Sequence, residues 1–221
     1  MLPKAIVCWS GGKDSAFALH TLQAAGTHDI VALLTTVTAA YDRISMHGVR
    51  RSLLRAQAAA IGLPVREVAI TPSASNVEYE RAMGAALATA QAEGVTACMF
   101  GDIFLEDLRR WREARLAQIG LQGIFPIWRR DTRELIDAFL AEGFRTVVVC
   151  VDPRVLPSTF AVREIDAQFL RDLPPGVDPC GENGEFHTFT YEGPIFRSPV
   201  RWQHGAVVSR DGFVFCDLIP T

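Results

Sequence analysis

The sequence has no CxxC pair, no run of apolar residues approaching membrane-spanning length and no excess of basic charge, and each absence removes a class of protein. Its five cysteines, Cys8, Cys98, Cys150, Cys180 and Cys216, are scattered and odd in number, which argues against a disulfide framework and against a zinc finger with its paired ligand spacing. Cys8, Cys98 and Cys150 lie in apolar runs, where a thiol behaves as a small hydrophobe. A formal charge of -3 carries no broad basic field, so a grip on long nucleic acid by counterion release is disfavoured and small substrates fit better. No charged leader followed by an apolar stretch and a cleavage site opens the chain, and a cytoplasmic, non-membrane protein is expected.

At 221 residues and 49% hydrophobic, the chain is able to bury a sizeable core. It is long for one minimal domain and short for two full ones. The expectation is a nucleotide-binding domain over residues 1–151 and a small substrate-covering appendage over 152–221.

The chain is organised around Val7-Cys8-Trp9-Ser10-Gly11-Gly12-Lys13-Asp14-Ser15, where an apolar strand meets a serine and glycine turn that opens a helix. Such a turn reads as a phosphate cradle. Gly11 and Gly12 let the backbone approach an anion, and their amides with those of the first helical turn would point at it. Lys13 adds a positive charge, Ser10 and Ser15 add hydroxyl donors, and Asp14 is a carboxylate suited to Mg2+ beside polyphosphate oxygens. The spacing is not GxxxxGK[ST], because Lys13 directly follows a Gly-Gly doublet.

Through residue 151 one rhythm repeats: a short apolar run, a loop, a helix with one apolar face, then a glycine. Strands are predicted at Ala5 to Trp9, Ile30 to Val37, Val65 to Ile70, Val95 to Phe100 and Phe144 to Val151, with a short segment Ile124 to Trp128 ahead of the last helix. Helices are predicted from Ser15 to Gly26, over Arg50 to Ile61 with Leu53, Ala56, Gln57 and Ala60 in register, after a Ser75/Glu78 capping box, from Phe104 to about Gly120, and after Asp131. This alternation implies an α/β fold, a mostly parallel Rossmann-type sheet with helices on both faces. Ligands bind such sheets at the carboxyl ends of the strands, where the Ser10 to Ser15 loop falls.

Two more loops share that edge. Gly101 would permit close approach of a ligand and Asp102 would supply a carboxylate for metal or nucleotide positioning, or else cap the next helix. After the second strand the backbone around Thr36 would read an adenine edge, and His47 in Met46-His47-Gly48 is either a site residue or an ordinary loop histidine. Arg109, Arg110, Arg112 and Arg115 form a basic face read as solvated, and Trp111 and Trp128 are read as packing.

Beyond Asp152 the rhythm breaks and prolines crowd the chain. A helix from about Ala161 to Leu170, a strand Phe186 to Tyr191 and a hairpin through Arg210-Asp211-Gly212 make a mixed α+β appendage lying over the sheet edge. Within it, Asp178 to Thr188 packs Glu182, Asn183, Glu185 and His187 into one stretch. Glu182, Glu185 and His187 suit orientation of an amine, a divalent cation or a developing positive charge; oxygen ligation favours Mg2+ over zinc.

SGGKDS resembles the signature of the PP-loop ATP pyrophosphatases. Together with MHGV, GDI, IFPIW and DPCGENGEFHTF followed by GPIF, it resembles the diphthine-ammonia ligase family of PP-loop proteins over Val7 to Phe196. The resemblance implies ATP and Mg2+ as cofactors, adenylation of a carboxylate with release of pyrophosphate, and displacement of AMP by ammonia to leave an amide. It implies phosphate binding by Lys13 and Ser15, positioning of metal or nucleotide by Asp14 and Asp102, and handling of the acceptor or ammonia by Glu182, Glu185 and His187. The family typically carries EGGEYET where this chain has ENGEFHT, so Asn183 and His187 are where another acceptor, small or protein-borne, would register. A homodimer is compatible with this reading. Two rivals are a PP-loop enzyme modifying tRNA, including by thiolation, a reaction that commonly needs paired cysteines or a cluster, and a non-catalytic adenine-nucleotide sensor.

Overall fold

Five parallel strands carry the candidate loop. They were traced in a computed structural model that describes residues 1–72 and 74–221. Strands β1 (Lys4–Cys8), β2 (Asp29–Thr38), β4 (Val65–Ile70), β5 (Val95–Met99) and β6 (Gln122–Ile124) lie in the order β4-β2-β1-β5-β6, every pairing parallel. A two-residue strand, β3 (Arg43–Ile44), runs antiparallel against the end of β2. The connections are α1 (Lys13–Ala25), α2 (Arg51–Ile61), α3 (Asn76–Ala92) and α4 (Glu106–Ala117). Their punctuation is as the sequence predicts: Gly26 and Gly62 close helices in the left-handed region, and Ser75 and Glu78 form a reciprocal capping box.

Alternate residues of each strand face opposite sides of the sheet. Val7 and Leu33 pack with Phe17, Leu19, Leu53 and Leu54 of α1 and α2, while Ile6, Leu34 and Cys98 pack with Leu87, Ala90 and Leu116 of α3 and α4. The first of these cores continues without a break into the second half of the chain through Phe139, Val148, Phe169 and Phe189.

That second half is built on an antiparallel sheet of β7 (Arg145–Val151), β8 (Phe186–Glu192), β9 (Trp202–Arg210) and β10 (Phe213–Pro220), ordered β8-β7-β10-β9. Here two expectations are corrected. The strand at Phe144 to Val151 forms, but it does not extend the parallel series. After α5 (Thr132–Ala141) the chain turns away from β6, and β7 pairs antiparallel with both β8 and β10. Nor does a helix run from Ala161 to Leu170. Residues 162–165 bond along β7, with Val162 N–H donating to Val148 O at 3.0 Å and Ile165 N–H to Thr146 O at 3.0 Å, so only the short α6 (Ala167–Asp172) is helical. Val162 takes a left-handed φ of 73°, which a helix interior excludes. The β9–β10 hairpin turns on Asp211 and Gly212, both at positive φ, as a two-residue primed turn requires. Among the described residues no helix is long and apolar enough to cross a membrane.

Candidate active site

Between β1 and α1 the chain makes its turn at Gly11, whose φ of 82° places it where a side chain is strained. The turn is fastened by Gln57, a side chain of α2 with no solvent exposure. Its Nε2 donates to the carbonyls of Gly11 at 2.9 Å and Thr190 at 2.6 Å, and its Oε1 accepts from Trp9 Nε1 at 3.1 Å. Strand β8 completes the attachment, with Thr190 N–H donating to Gly11 O at 2.9 Å and Lys13 N–H donating to Thr188 Oγ1 at 3.0 Å. The segment that follows the glutamate-rich stretch thus lies directly on the serine-glycine turn.

Within the turn, Ser10 Oγ and Ser15 Oγ stand 3.1 Å apart, Ser15 Oγ donates to Gly12 O at 2.9 Å and Gly12 N–H donates to Ser10 Oγ at 3.3 Å. Two of the amides expected to face an anion, those of Gly12 and Lys13, are therefore engaged by hydroxyls. Lys13 is buried, and its Nζ donates to both oxygens of Asp14 at 2.7 and 2.8 Å. Burial works to lower its pKa, but the fields of Asp14, Cys180 and Glu182 more than reverse this and hold it above the ordinary lysine value. A charged ammonium is the state the site maintains.

Asp14 and Glu182 act on it directly, whereas Asp102, which interacts electrostatically with both of them, stands outside the lining of the Lys13 cavity. Asp102 is paired with Arg112 of α4, whose Nε and Nη2 donate at 2.8 and 3.3 Å; burial raises its pKa, with Asp14 adding and Arg112 opposing. Glu182 Oε1 accepts from Ile103 N–H at 2.8 Å, and burial, reinforced by Asp14 and Asp102, pushes its pKa up to about 7. Asp14 and Asp102 are balanced by the two cations Lys13 and Arg112, and Glu182 adds a carboxyl group that one further cation would ionise. Among the described residues no group of three or more His, Cys, Asp or Glu gathers tightly enough to cage a metal. That pattern fits Mg2+, which takes one or two carboxylates and fills its remaining positions with phosphate oxygens and water.

Gly101 serves differently from expectation. A Cβ there would lie 2.7 Å from the carbonyl carbon of Asp14 and 2.8 Å from Ser15 N, so the close approach it permits is by the first helical turn itself.

The rings of His47 and His187 lie 4.7 Å apart, tilted by 39°. His47 Nδ1 is 3.2 Å from Thr188 O and carries the donated proton. Burial, with Lys13 adding to it and the Thr188 hydrogen bond opposing, lowers His47 to about 4, and burial, then the His47 ring and Lys13, lowers His187 to about 3, so the two imidazoles are neutral at physiological pH.

Glu185 sits apart from this group. Its carboxylate accepts from Asp178 N–H at 3.1 Å, Asn183 N–H at 3.0 Å and Asn183 Nδ2 at 3.0 Å, tying the turn that presents Glu182. Thr36 also lies outside, its carbonyl accepting from Ser45 N–H at 3.1 Å. Ser10, Lys13, Asp14, His47, Glu182 and His187 line one cavity of about 120 Å³. A more apolar cavity of about 170 Å³ between α3 and α4 is lined by Arg112 but by none of Ser10, Lys13, Asp14, Asp102, Glu182 or the two histidines, so the chemistry belongs to the smaller one.

Sequence reasoning missed Gln57, Thr188 and Arg112. Gln57 had a signal, a polar residue inside an apolar helical register. Arg112 was merged into a basic face whose other members do pair on the surface, Arg109 with Glu113, Arg110 with Glu106 and Arg115 with Glu80.

Comparison with known proteins covers nearly the whole chain. A family model described as the diphthamide synthase N-terminal domain matches residues 3–123, and one described as the diphthamide synthase C-terminal domain matches 131–210. Diphthine-ammonia ligase of Danio rerio is 29% identical over 216 residues, which is 86% of this chain and 83% of that protein. The enzymes of the same name from Bos taurus and Homo sapiens are 25% and 26% identical over 95% and 92% of this chain, and over 86% and 85% of their own lengths. A solved structure described as a predicted subunit of tRNA methyltransferase from Methanocaldococcus jannaschii superposes with a TM-score of 0.43 at 16% identity, covering 66% of this chain and 77% of that one.

Proposed function

The chain belongs to the diphthamide synthase family, and on that premise we propose that it is an ATP-dependent amide ligase that adenylates the carboxylate of diphthine, a modified histidine of the translocation elongation factor, and transfers ammonia to it. The observation that carries this reading is the hydrogen bond from Lys13 N–H to Thr188 Oγ1, which seats the glutamate- and histidine-bearing segment on the serine-glycine turn. One group suited to phosphate and one suited to an amine thereby share a single small cavity.

A carboxylate is a poor acyl donor because oxide leaves badly. Attack of its oxygen on the α-phosphorus of ATP expels pyrophosphate and forms an acyl-adenylate, from which AMP leaves readily. In this reading the Lys13 ammonium, with the Ser10 and Ser15 hydroxyls, stabilises the charge that grows on the departing pyrophosphate, Lys13 and Ser15 being themselves buried. Asp14 and Asp102 are the residues that would hold Mg2+, which when bound supplies further neutralisation of the polyphosphate.

The amide step needs a free amine and a base for the proton released when nitrogen attacks the acyl carbon. Glu182, with a pKa near 7, is matched to take that proton at neutral pH. Neutral His47 and His187 add no positive charge beside Lys13 and so favour ammonia over ammonium at the reacting carbon.

The test is product analysis. Purified protein with ATP, Mg2+, ammonium and the diphthine-bearing factor is expected to release AMP and pyrophosphate in step with amide formation. Appearance of ADP and orthophosphate, or turnover driven by tRNA in place of a carboxylate, would refute the assignment.

A further inference from the structure

Helices α3 and α4 leave a cavity of about 170 Å³ between them, floored by the buried side chains of Leu87, Phe100 and Leu116 and walled by Met83 and Trp111. Arg115 of α4 reaches Glu80 of α3 at 2.7 Å, and since both side chains are partly exposed this ion pair marks the solvent side. Arg112 belongs to the lining as well, and its guanidinium holds Asp102.

The cavity is kept open by a glycine. Gly84 lies inside α3, borders the cavity and does not take a positive φ, so the backbone has no need of glycine there. In a helix interior glycine is about 1 kcal/mol less favourable than alanine. Close packing does not demand it either, because a Cβ at this position would meet nothing within 4 Å beyond its chain neighbours and its own helix's backbone. Any larger side chain would add helix propensity and apolar contact, yet the room is left free. Folding alone gives no reason for glycine at 84; a ligand occupying the space gives one.

The space selects its occupant by size and charge. A cavity of about 150 Å³ lined by Leu, Ile and Phe takes up benzene, so this one matches a six-membered ring with a small substituent. The charged groups of the lining are already committed, Arg115 with Glu80 and Arg112 with Asp102. Among the described residues no buried side-chain nitrogen or oxygen lacks a partner. A charged ligand would find no free counter-ion, and burying the ring nitrogens of a nucleotide base against Met83, Leu87 and Leu116 would be unfavourable.

We propose that the α3–α4 cavity is an effector site for a neutral apolar molecule built on one six-membered ring, and that Arg112 reports its occupancy to the active site. A ring seated there packs against the stem of Arg112 and confines its guanidinium to the geometry that holds Asp102. The ligand and ATP then each bind more tightly in the presence of the other, by the same factor. The coupling rests on the reading of Asp102 as a positioning residue for nucleotide or metal; the cavity and its ligand class do not.

Toluene is the probe, with benzoate as its anionic counterpart, both titrated into the full chain and followed by NMR. Saturable one-to-one binding is expected for toluene and none for benzoate at the same concentrations. Gly84→Leu fills the space with a residue that helices favour, so the melting temperature is expected to hold or rise and toluene binding to be lost. Gly84→Ala, which adds a single methyl in open space, is expected to bind toluene more weakly than the parent, and it keeps the test available should leucine not be tolerated. Saturating toluene is expected to tighten binding of a non-hydrolysable ATP analogue, measured by calorimetry, about fivefold in the parent and not at all in Gly84→Leu. Absence of saturable toluene binding, binding undiminished in the Gly84 variants, benzoate held as tightly as toluene, or an ATP-analogue affinity in the parent that toluene does not change would each overturn the proposal. Should the parent bind no ATP analogue, the nucleotide reading fails and the coupling with it, while toluene binding and its loss in Gly84→Leu still decide whether the cavity is a ligand site.

Discussion

Gln57 and Gly11 are joined by a hydrogen bond of 2.9 Å that crosses from the second helix to the first turn of the chain in a position sealed from water. The same side chain also engages Trp9 and Thr190, so one amide group links two elements of the parallel sheet's domain to the antiparallel sheet. Gln57→Leu keeps the volume and removes every bond, leaving Trp9 Nε1 and the Thr190 carbonyl to lose their partner. We expect a loss of about 2–3 kcal/mol in urea unfolding, with weakened ATP-analogue binding in the folded fraction. A change below about 0.5 kcal/mol, the range of an ordinary surface substitution, would show that the fastening is dispensable.

Gly101→Ala tests the contact between the loop after β5 and α1. The added methyl would meet backbone atoms of Asp14 and Ser15 at under 3 Å, and backbone cannot step aside as a flexible side chain does. Overpacking of this kind costs about 1–3 kcal/mol, and displacement of Lys13 is expected to slow pyrophosphate release by at least tenfold. Retention of full activity with unchanged stability would contradict the packing described.

For the pH dependence of turnover, the relevant group is Glu182. Held near pKa 7 by burial and by its acidic neighbours, it is protonated and unable to act as a base below that value. The rate of amide formation with saturating ammonia is therefore expected to rise through pH 7, and Glu182→Gln is expected to lose this limb along with most of the rate. An acid limb that persists in Glu182→Gln would transfer the titration to another group.

Stability should fall as the solution is acidified, for two reasons of the same sign. His47 and His187 have folded-state pKa values of about 4 and about 3, against 6.5 for the free side chain, so below about pH 6.5 the unfolded chain takes up protons that the folded one refuses. Each histidine contributes up to about 1.4 kcal/mol per pH unit between its two pKa values. Asp217, hydrogen-bonded to Arg50 and Arg43, is held at about 2 against 3.8, and its contribution of about 2 kcal/mol is present above pH 3.8 and lost as the pH drops toward 2. Urea unfolding at a series of pH values should show the shallower slope between pH 6 and 4 in a His47→Gln, His187→Gln double variant. An unaltered slope would mean that the rings are not held neutral.

Much of the parallel sheet was legible because its signals are local: a glycine after each helix, the Ser75/Glu78 box, and apolar runs of strand length. The Ser10 to Ser15 turn was legible for the same reason, as its residue order reports its own geometry. What sequence could not convey was partnership between distant strands. The apolar run at Phe144 to Val151 suits a parallel or an antiparallel neighbour equally, and the choice is made by pairing with residues near 188 and 215. Likewise Glu182 and Glu185 look equivalent as letters, yet two backbone amides and the Asn183 side chain claim one of them and only the Ile103 amide claims the other. Thr188 gains its place at the turn purely from the way β8 crosses it.

Every residue of β7 from Thr146 to Val151 is buried, and its neighbours on both sides, residues 162–165 and β10 on one edge and β8 on the other, all come from beyond residue 160. A polypeptide cut at Asp152 would consequently expose a sticky valine-rich ribbon bare along both edges, an invitation to clump with copies of itself. Limited digestion there should yield insoluble pieces rather than a free-standing nucleotide binder. The two lobes must therefore mature together, and the Ser10 to Ser15 turn is finished only once strand β8 has arrived.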